Sequence, residues 1–264
     1  MTPDYRRALI DIIAGAENWR VWTRMGWQEI RRRYRRTMLG PFWVTLSLGL
    51  FVGGMGFVWA PLFKVPVKDY LPFVTTGMIC WTFTSSIIIE GCSTYTSAES
   101  LIKQLSLPLS MLNWMLVCRN TIVLFHNLLI AIIVYAALGI IPSLNFLLFF
   151  PGLVLVCING VWMGILLGMV SARFRDVPQL VGSLVQVMMF VTPVFWYASQ
   201  LSAARANLLL YNPLMHLIDV IRMPLLGQAP TLLNYAVVIG MALTGWSLAI
   251  FVFARFRRRI AYWL

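Results

Sequence analysis

Long apolar runs separated by short polar or basic stretches set the pattern along this chain. About 20 apolar residues are needed for a helix to cross ~30 Å of hydrocarbon. Six runs meet or approach that length: 39–63, 70–92, 114–138, 146–172, 180–197 and 232–254. Pro41 falls at the start of the first run, where a missing amide is tolerated, and Pro142 and Pro151 bracket the approach to the fourth. Gly160, Gly164 and Gly168 recur every four residues in the fourth run, a spacing that brings helix backbones close.

Three segments depart from this pattern. Residues 1–37 are polar and basic, with Tyr5, Leu9, Ile12, Ile13 and Ala16 at helical spacing and tryptophans interleaved with arginines. They predict an amphipathic helix at a lipid headgroup interface, with Trp19, Trp22, Arg31, Arg32, Arg33, Arg35 and Arg36 as headgroup contacts. Residues 97–108 place Leu101, Ile102 and Leu105 at i, i+1 and i+4, with Ser97 or Ser100 as the cap and Pro108 as the stop. This is a short helix across the mouth of the bundle. The segment between the fifth and sixth runs is about 30 residues long, not very polar, and interrupted by Pro193, Pro213 and Pro224, which predicts re-entrant or interfacial helices. Asp219 and Arg222 there are spaced to pair at i, i+3.

Composition sharpens the reading. Of 264 residues, 60% are hydrophobic and 11% charged, with a mean hydropathy of +0.80. A soluble domain carries roughly 25% charged residues, so a soluble fold and disorder are both excluded. The fold class is an all-α integral membrane protein with six transmembrane helices. It divides into a basic arm (1–37), a six-span domain (38–254) and a basic tail (255–264).

The net charge of +12 is distributed by topology and does not point to nucleic acid. Of the 21 Lys and Arg, only Lys64, Lys68, Arg205 and Arg222 fall opposite the termini, which puts both termini in the cytoplasm. The polar first 30 residues predict no cleavable signal peptide. Cys80, Cys92, Cys118 and Cys157 read as buried hydrophobes. Glu90 and Arg119 sit near the inner ends of their spans and are expected to snorkel. His126 and His216 stand apart from any carboxylate pair, so no proton relay is expected. Arg173, Arg175 and Asp176 predict an ion-pair network at the inner mouth. Trp81, Trp162, Trp196, Tyr197, Asp219 and Arg222 are candidate pore or gate residues, flat rings suiting sugar faces. No G-x-x-x-x-G-K-[ST], H-E-x-x-H or G-x-S-x-G occurs, so the chain reads as no enzyme, without metal or cofactor of its own.

Several segments, in order, resemble the permease subunits of polysaccharide ABC exporters of the type-2 ABC transporter family. They are the basic approach Arg33–Trp43, the loop Leu101–Pro108, Arg173-Phe-Arg-Asp176, Thr192-Pro193, Asn212-Pro213 and the terminal Arg257–Leu264. The resemblance implies an inner-membrane homodimer bound to two copies of a separate ATPase, which carries the ATP and Mg. The cargo it implies is a lipid-linked glycan such as O-antigen, capsule or a teichoic-acid-like polymer. It also implies coupling to the ATPase through Glu99, Leu101, Ile102, Lys103, Leu105 and Pro108, supported by Arg173, Arg175 and Asp176. Alternatives are a type-2 permease for a lipid or drug, an ion-coupled carrier, and a membrane-embedded glycan transferase.

Overall fold

The computed structural model describes residues 4–33, 35, 38, 40, 42–202 and 207–264. Tyr34, Arg36, Thr37, Leu39, Pro41 and Arg205 lie outside them, so the expectations placed on these residues are not addressed. Among the described residues all regular structure is helical: α1 (Tyr5–Glu17), α2 (Trp19–Arg33), α3 (Phe42–Leu62), α4 (Val67–Ser93), α5 (Glu99–Gln104), α6 (Met111–Leu138), α7 (Phe149–Arg173), α8 (Val177–Val191), α9 (Pro213–Leu225) and α10 (Leu232–Trp263).

Five of these are long and apolar enough to cross a membrane: α3, α4, α6, α7 with its preceding turn, and α10. Local chemistry fixes their ends. Thr231 accepts the Asn234 amide at the start of α10, and Asn212 accepts the Leu214 amide ahead of Pro213 at the start of α9. Gly139, at φ +66°, closes α6 in the left-handed region that glycine enters without a Cβ clash. Pro151 sits in the first turn of α7, where no helical partner is lost.

The fifth predicted span differs. Its helix is the 15-residue α8, which rises ~22 Å at 1.5 Å per residue. Pro193 has no amide to continue the ladder, and the backbone turns at 192–197. The sixth is longer than expected. α10 runs 32 residues, so the basic residues after 254 continue the helix as far as Trp263. The N-terminal arm is two helices rather than one, broken at Asn18, whose side-chain amide donates to Ala14 O.

α4 is the centre, packed against α3, α6, α7, α8 and α9. The glycine run on α7 does the predicted packing: Gly160 meets Ile87 and Val117, Gly164 meets Asn113 and Leu116, and Gly168 meets Tyr95. Both chain ends gather at one end of the bundle, where Asp4 N donates to Ala254 O and Asp4 pairs with Arg258. The end of α7 reaches the same place through Arg173 over Trp263. This is the basic end. α8 leaves it beside Arg175 and arrives at the far end beside Tyr70, whose hydroxyl donates to Phe195 O.

Candidate functional site

At the basic end, α5 lies against the bundle through Leu101 and Ile102, which pack on a cluster containing Tyr95, Phe253 and Ile260. Neither predicted serine caps it: the N-cap is Ala98, and Ser97 Oγ donates to Thr94 O. The helix stops at Gln104, because Leu105 is already extended, and Pro108 instead opens α6 by accepting the Met111 amide. Leu105 therefore leaves the helical face and stands 52% exposed. Lys103 Nζ donates to Glu99 Oε1 at 2.7 Å. That bond and the Lys103 charge, helped by Arg175, hold the Glu99 carboxyl below the usual carboxylate range.

The predicted ion-pair network at 173–176 does not form. The Arg173 guanidinium lies 5.1 Å from the Phe174 ring centre and 5.7 Å from that of Trp263, and Arg175 Nη2 donates to Trp263 O at 3.5 Å. Asp176 accepts the Gln179 and Leu180 amides with its backbone carbonyl at the start of α8. The arginines are drawn to the carbonyl end of α10, where the helix dipole favours cations.

The arm is bolted down more firmly than an interfacial helix needs. The buried stripe of α1 is Ala8, Asp11 and Gly15, while Tyr5, Leu9 and Ile13 are exposed. On α2, Trp22 stacks on Trp114 of α6 at 6.0 Å, whereas Trp19 and Trp27 are exposed. Glu90 and Arg119 do not snorkel. Arg119 Nη2 donates to Glu90 Oε2 at 2.6 Å and its Nη1 pairs with Glu29 of α2. Arg33 Nη1 and Asn120 Nδ2 complete the Glu90 carboxylate at 3.2 and 2.9 Å. Four charged groups and an amide thus tie α2 to α4 and α6. Arg31, Arg32 and Arg35 stay exposed and, with Gln28, line an open cleft of about 420 Å³. Three guanidinium groups thus face one open cleft.

At the far end, a clamped turn closes the bundle. Arg222 of α9 does not pair with Asp219. It donates to Pro193 O at 2.7 Å and to Val194 O and Phe73 O at 3.3 Å, with the guanidinium 3.8 Å from the Phe73 ring centre. A Cβ on Gly77 would meet Val194 O at 2.3 Å, so this close approach requires glycine. Asn212 Nδ2 donates to Thr192 Oγ1 at 2.9 Å. Tyr197 stacks on Phe73 at 4.0 Å, and its hydroxyl donates to Asp69 O.

Of the aromatic candidates, Tyr197 and Trp196 belong to this turn; Trp196 Nε1 donates to Phe190 O. Trp81 is buried in the main core, and Trp162, bonded to Asn159 Oδ1, packs against Gly245 of α10. Asp219 is buried beside Arg222. His126 hydrogen-bonds to Ile122 O in its own helix, and His216 bridges Asn234 Oδ1 and Leu210 O. Sequence reading missed Asp11, Glu29, Tyr70 and Phe73. The available signal for Asp11 was an acid spaced i+3 from Ala8 and i−4 from Gly15, along a stripe of small residues.

Residues 20–226 match a family model described as ABC-2 type transporter. The chain is similar to the O-antigen export system permease protein RfbA of Myxococcus xanthus, 26% identical over 197 residues covering 72% of this chain and 74% of the relative. It is also similar to two Klebsiella pneumoniae proteins of that name. One is 22% identical over 235 residues, 88% of each chain, and the other 22% over 195 residues, 72% of this chain and 74% of the relative.

Proposed function

The chain belongs to the ABC-2 type transporter family, and from that premise we propose that it is the membrane subunit of an ATP-driven exporter of a lipid-linked polysaccharide. The observation that carries this reading is the basic end. An α5 helix anchored by Leu101 and Ile102 presents Glu99, Lys103 and the exposed Leu105 beside Arg175. A partner pushing on that surface moves the bundle, because the segment is bonded to the core. The partner is a separate ATPase in two copies, holding the ATP and Mg. Similarity to O-antigen export permeases supports the glycan. The Arg31, Arg32 and Arg35 cleft supplies a site for the phosphates of its lipid carrier.

The same reading puts both termini in the cytoplasm, by the bias of Lys and Arg, in the inner membrane of a bacterium. It makes α8 and the 192–197 turn the sixth crossing, since α8 begins beside Trp263 and the turn ends beside Tyr70. A 15-residue helix with only Val185 buried is too short to leave its far end bare in lipid. A second copy of the chain covering α8 answers that need and makes the homodimer. Glu90, near the basic end of α4, gives ion coupling no support, because Arg33 and Arg119 neutralise it.

The test is affinity purification of the chain in mild detergent from its native host. A P-loop ATPase at one copy per chain is the expected companion. Recovery of the chain alone would remove the motor and defeat the reading.

A further inference from the structure

Asp11 lies midway along α1, and its side chain is fully enclosed. Its partners come from two distant parts of the chain. Oδ1 accepts the Ser110 amide at 3.0 Å, and Oδ2 accepts the Leu109 amide at 3.2 Å and Arg257 Nε at 2.7 Å. The Asp11 backbone carbonyl accepts Ser110 Oγ at 2.7 Å. Ser110, the residue before α6, makes no cap of its own, and the two residues leading into α6 are held by a carboxylate delivered from another helix. The negative charge lies at the amino end of α6, where the helix dipole favours it.

One turn further on, Gly15 rests against the same place. A Cβ there would come within 2.2 Å of Ser110 Oγ and 2.9 Å of Met111 N. The carboxylate and the glycine leave α1 no room to slide along α6. Arg257 carries the connection to the end of α10, and Asp4 repeats it through Arg258 at 3.0 Å.

The position of this junction matters. Only Ser106, Leu107 and Pro108 stand between the exposed Leu105 and the Leu109 and Ser110 amides that Asp11 holds. So short a connector carries a displacement of α5 to Ser110. α1 in turn joins α2 through the single residue Asn18, and α2 carries the arginine-lined cleft. We infer that Asp11 is the positioning residue that makes α1, the first turn of α6 and the end of α10 move as one body, so that a push on the α5 segment also moves the basic arm. This rests on the reading of the α5 surface as the ATPase contact.

The experiment uses the full exporter, the chain with its co-purified ATPase, carrying spin labels at Arg6 on α1 and Lys103 on α5. The unsubstituted joint is expected to keep the distance between the labels the same in the nucleotide-free and ATP-trapped states. Asp11→Ala is expected to broaden that distance and make it change with nucleotide. Without labels, Asp11→Ala should hydrolyse ATP within about twofold of wild type. In cells at matched protein level it should lower surface polysaccharide about fivefold or more, the lower end of typical coupling between sites. Asp11→Asn keeps an acceptor for the Leu109 or Ser110 amide and should restore part of the export. Arg257→Gln should free α10 alone.

An Asp11→Ala exporter with an unchanged label distance and unchanged surface polysaccharide overturns the inference. If Asp11→Ala does not fold, Asp11→Asn and Arg257→Gln decide it, and wild-type export and label distances in both would overturn it. Absence of any ATPase from the wild-type preparation is a separate outcome, which defeats the exporter reading and this inference with it.

Discussion

Replacing Arg222 with methionine should release the 192–197 turn from α4. Arg222 gives that turn one short charged bond, to Pro193 O at 2.7 Å, and a longer one to Val194 O at 3.3 Å. A third bond, to Phe73 O, and the stacking on Phe73 hold the guanidinium in place. A hydrogen bond from a charged donor contributes ~1.5–3 kcal/mol net. A desolvated cation–π contact adds ~2 kcal/mol. With the two 3.3 Å bonds counted at half weight, the clamp is worth ~5–8 kcal/mol. Burying the guanidinium offsets part of this, since a buried ion carries a desolvation penalty of several kcal/mol that methionine does not.

The net local loss is then ~3 kcal/mol, or about a hundredfold in the opening equilibrium at 1.36 kcal/mol per decade. The assay is hydrogen–deuterium exchange in a lipid nanodisc. Peptides covering 188–198 should exchange about a hundredfold faster in Arg222→Met, with α7 peptides unchanged. Arg222→Lys keeps the charge but lacks the planar fork that reaches separate carbonyls, and it should fall between the two, at about tenfold. Exchange in 188–198 within twofold of wild type for Arg222→Met would refute the clamp.

Other substitutions probe the remaining parts. Leu105→Asp should uncouple export from ATP hydrolysis with an unchanged melting temperature, because the side chain is exposed; Leu101→Asp, packed on the second core cluster, should uncouple and also lower stability by ~1–3 kcal/mol. Glu90→Gln leaves Arg119 with Glu29 alone and should lower stability by ~2 kcal/mol, read as a fall of ~5 °C in a detergent melt. Gly245→Ala puts a Cβ within 2.2 Å of the Trp162 ring and should cost ~1–3 kcal/mol. Gly240→Ala, on the same helix with open space around it, should be neutral, and equal melting temperatures for the two would contradict the α7–α10 packing.

The long spans were legible because each carries its own signal. Segments of more than 20 mostly apolar residues admit few other readings, and the starts and ends of α3, α4, α6 and α7 fall within a few residues of those predicted. α8 was overextended because 192–197 stays mostly apolar, and hydropathy alone carries the span past Pro193, where the helix ends. The helix at 99–104 was legible from its pattern, but its caps were not. Ser97 and Ser100 are good cap residues, and nothing local says that Ala98 takes the position. What sequence could not reveal is long-range pairing. Asp11 meets Ser110 and Arg257 across 99 and 246 residues, and Arg173 chooses Trp263 over Asp176 only because α10 continues past the apolar run. Glu90 and Arg119 were expected to snorkel; their pairing instead is completed by Glu29 and Arg33 arriving from α2.

As the proposed exporter subunit, this chain passes a lipid-linked glycan across the membrane at the expense of ATP. The most direct test is reconstitution of the chain with its co-purified ATPase in liposomes loaded with lipid-linked glycan extracted from the host. The ATPase sites should face outward, and transfer into the lumen is scored by loss of accessibility to an impermeant lectin. Transfer that requires Mg-ATP and stops when the ATPase carries a catalytic-site substitution is the predicted result. Equal transfer without ATP, or ATP hydrolysis with no glycan moved, would contradict the account.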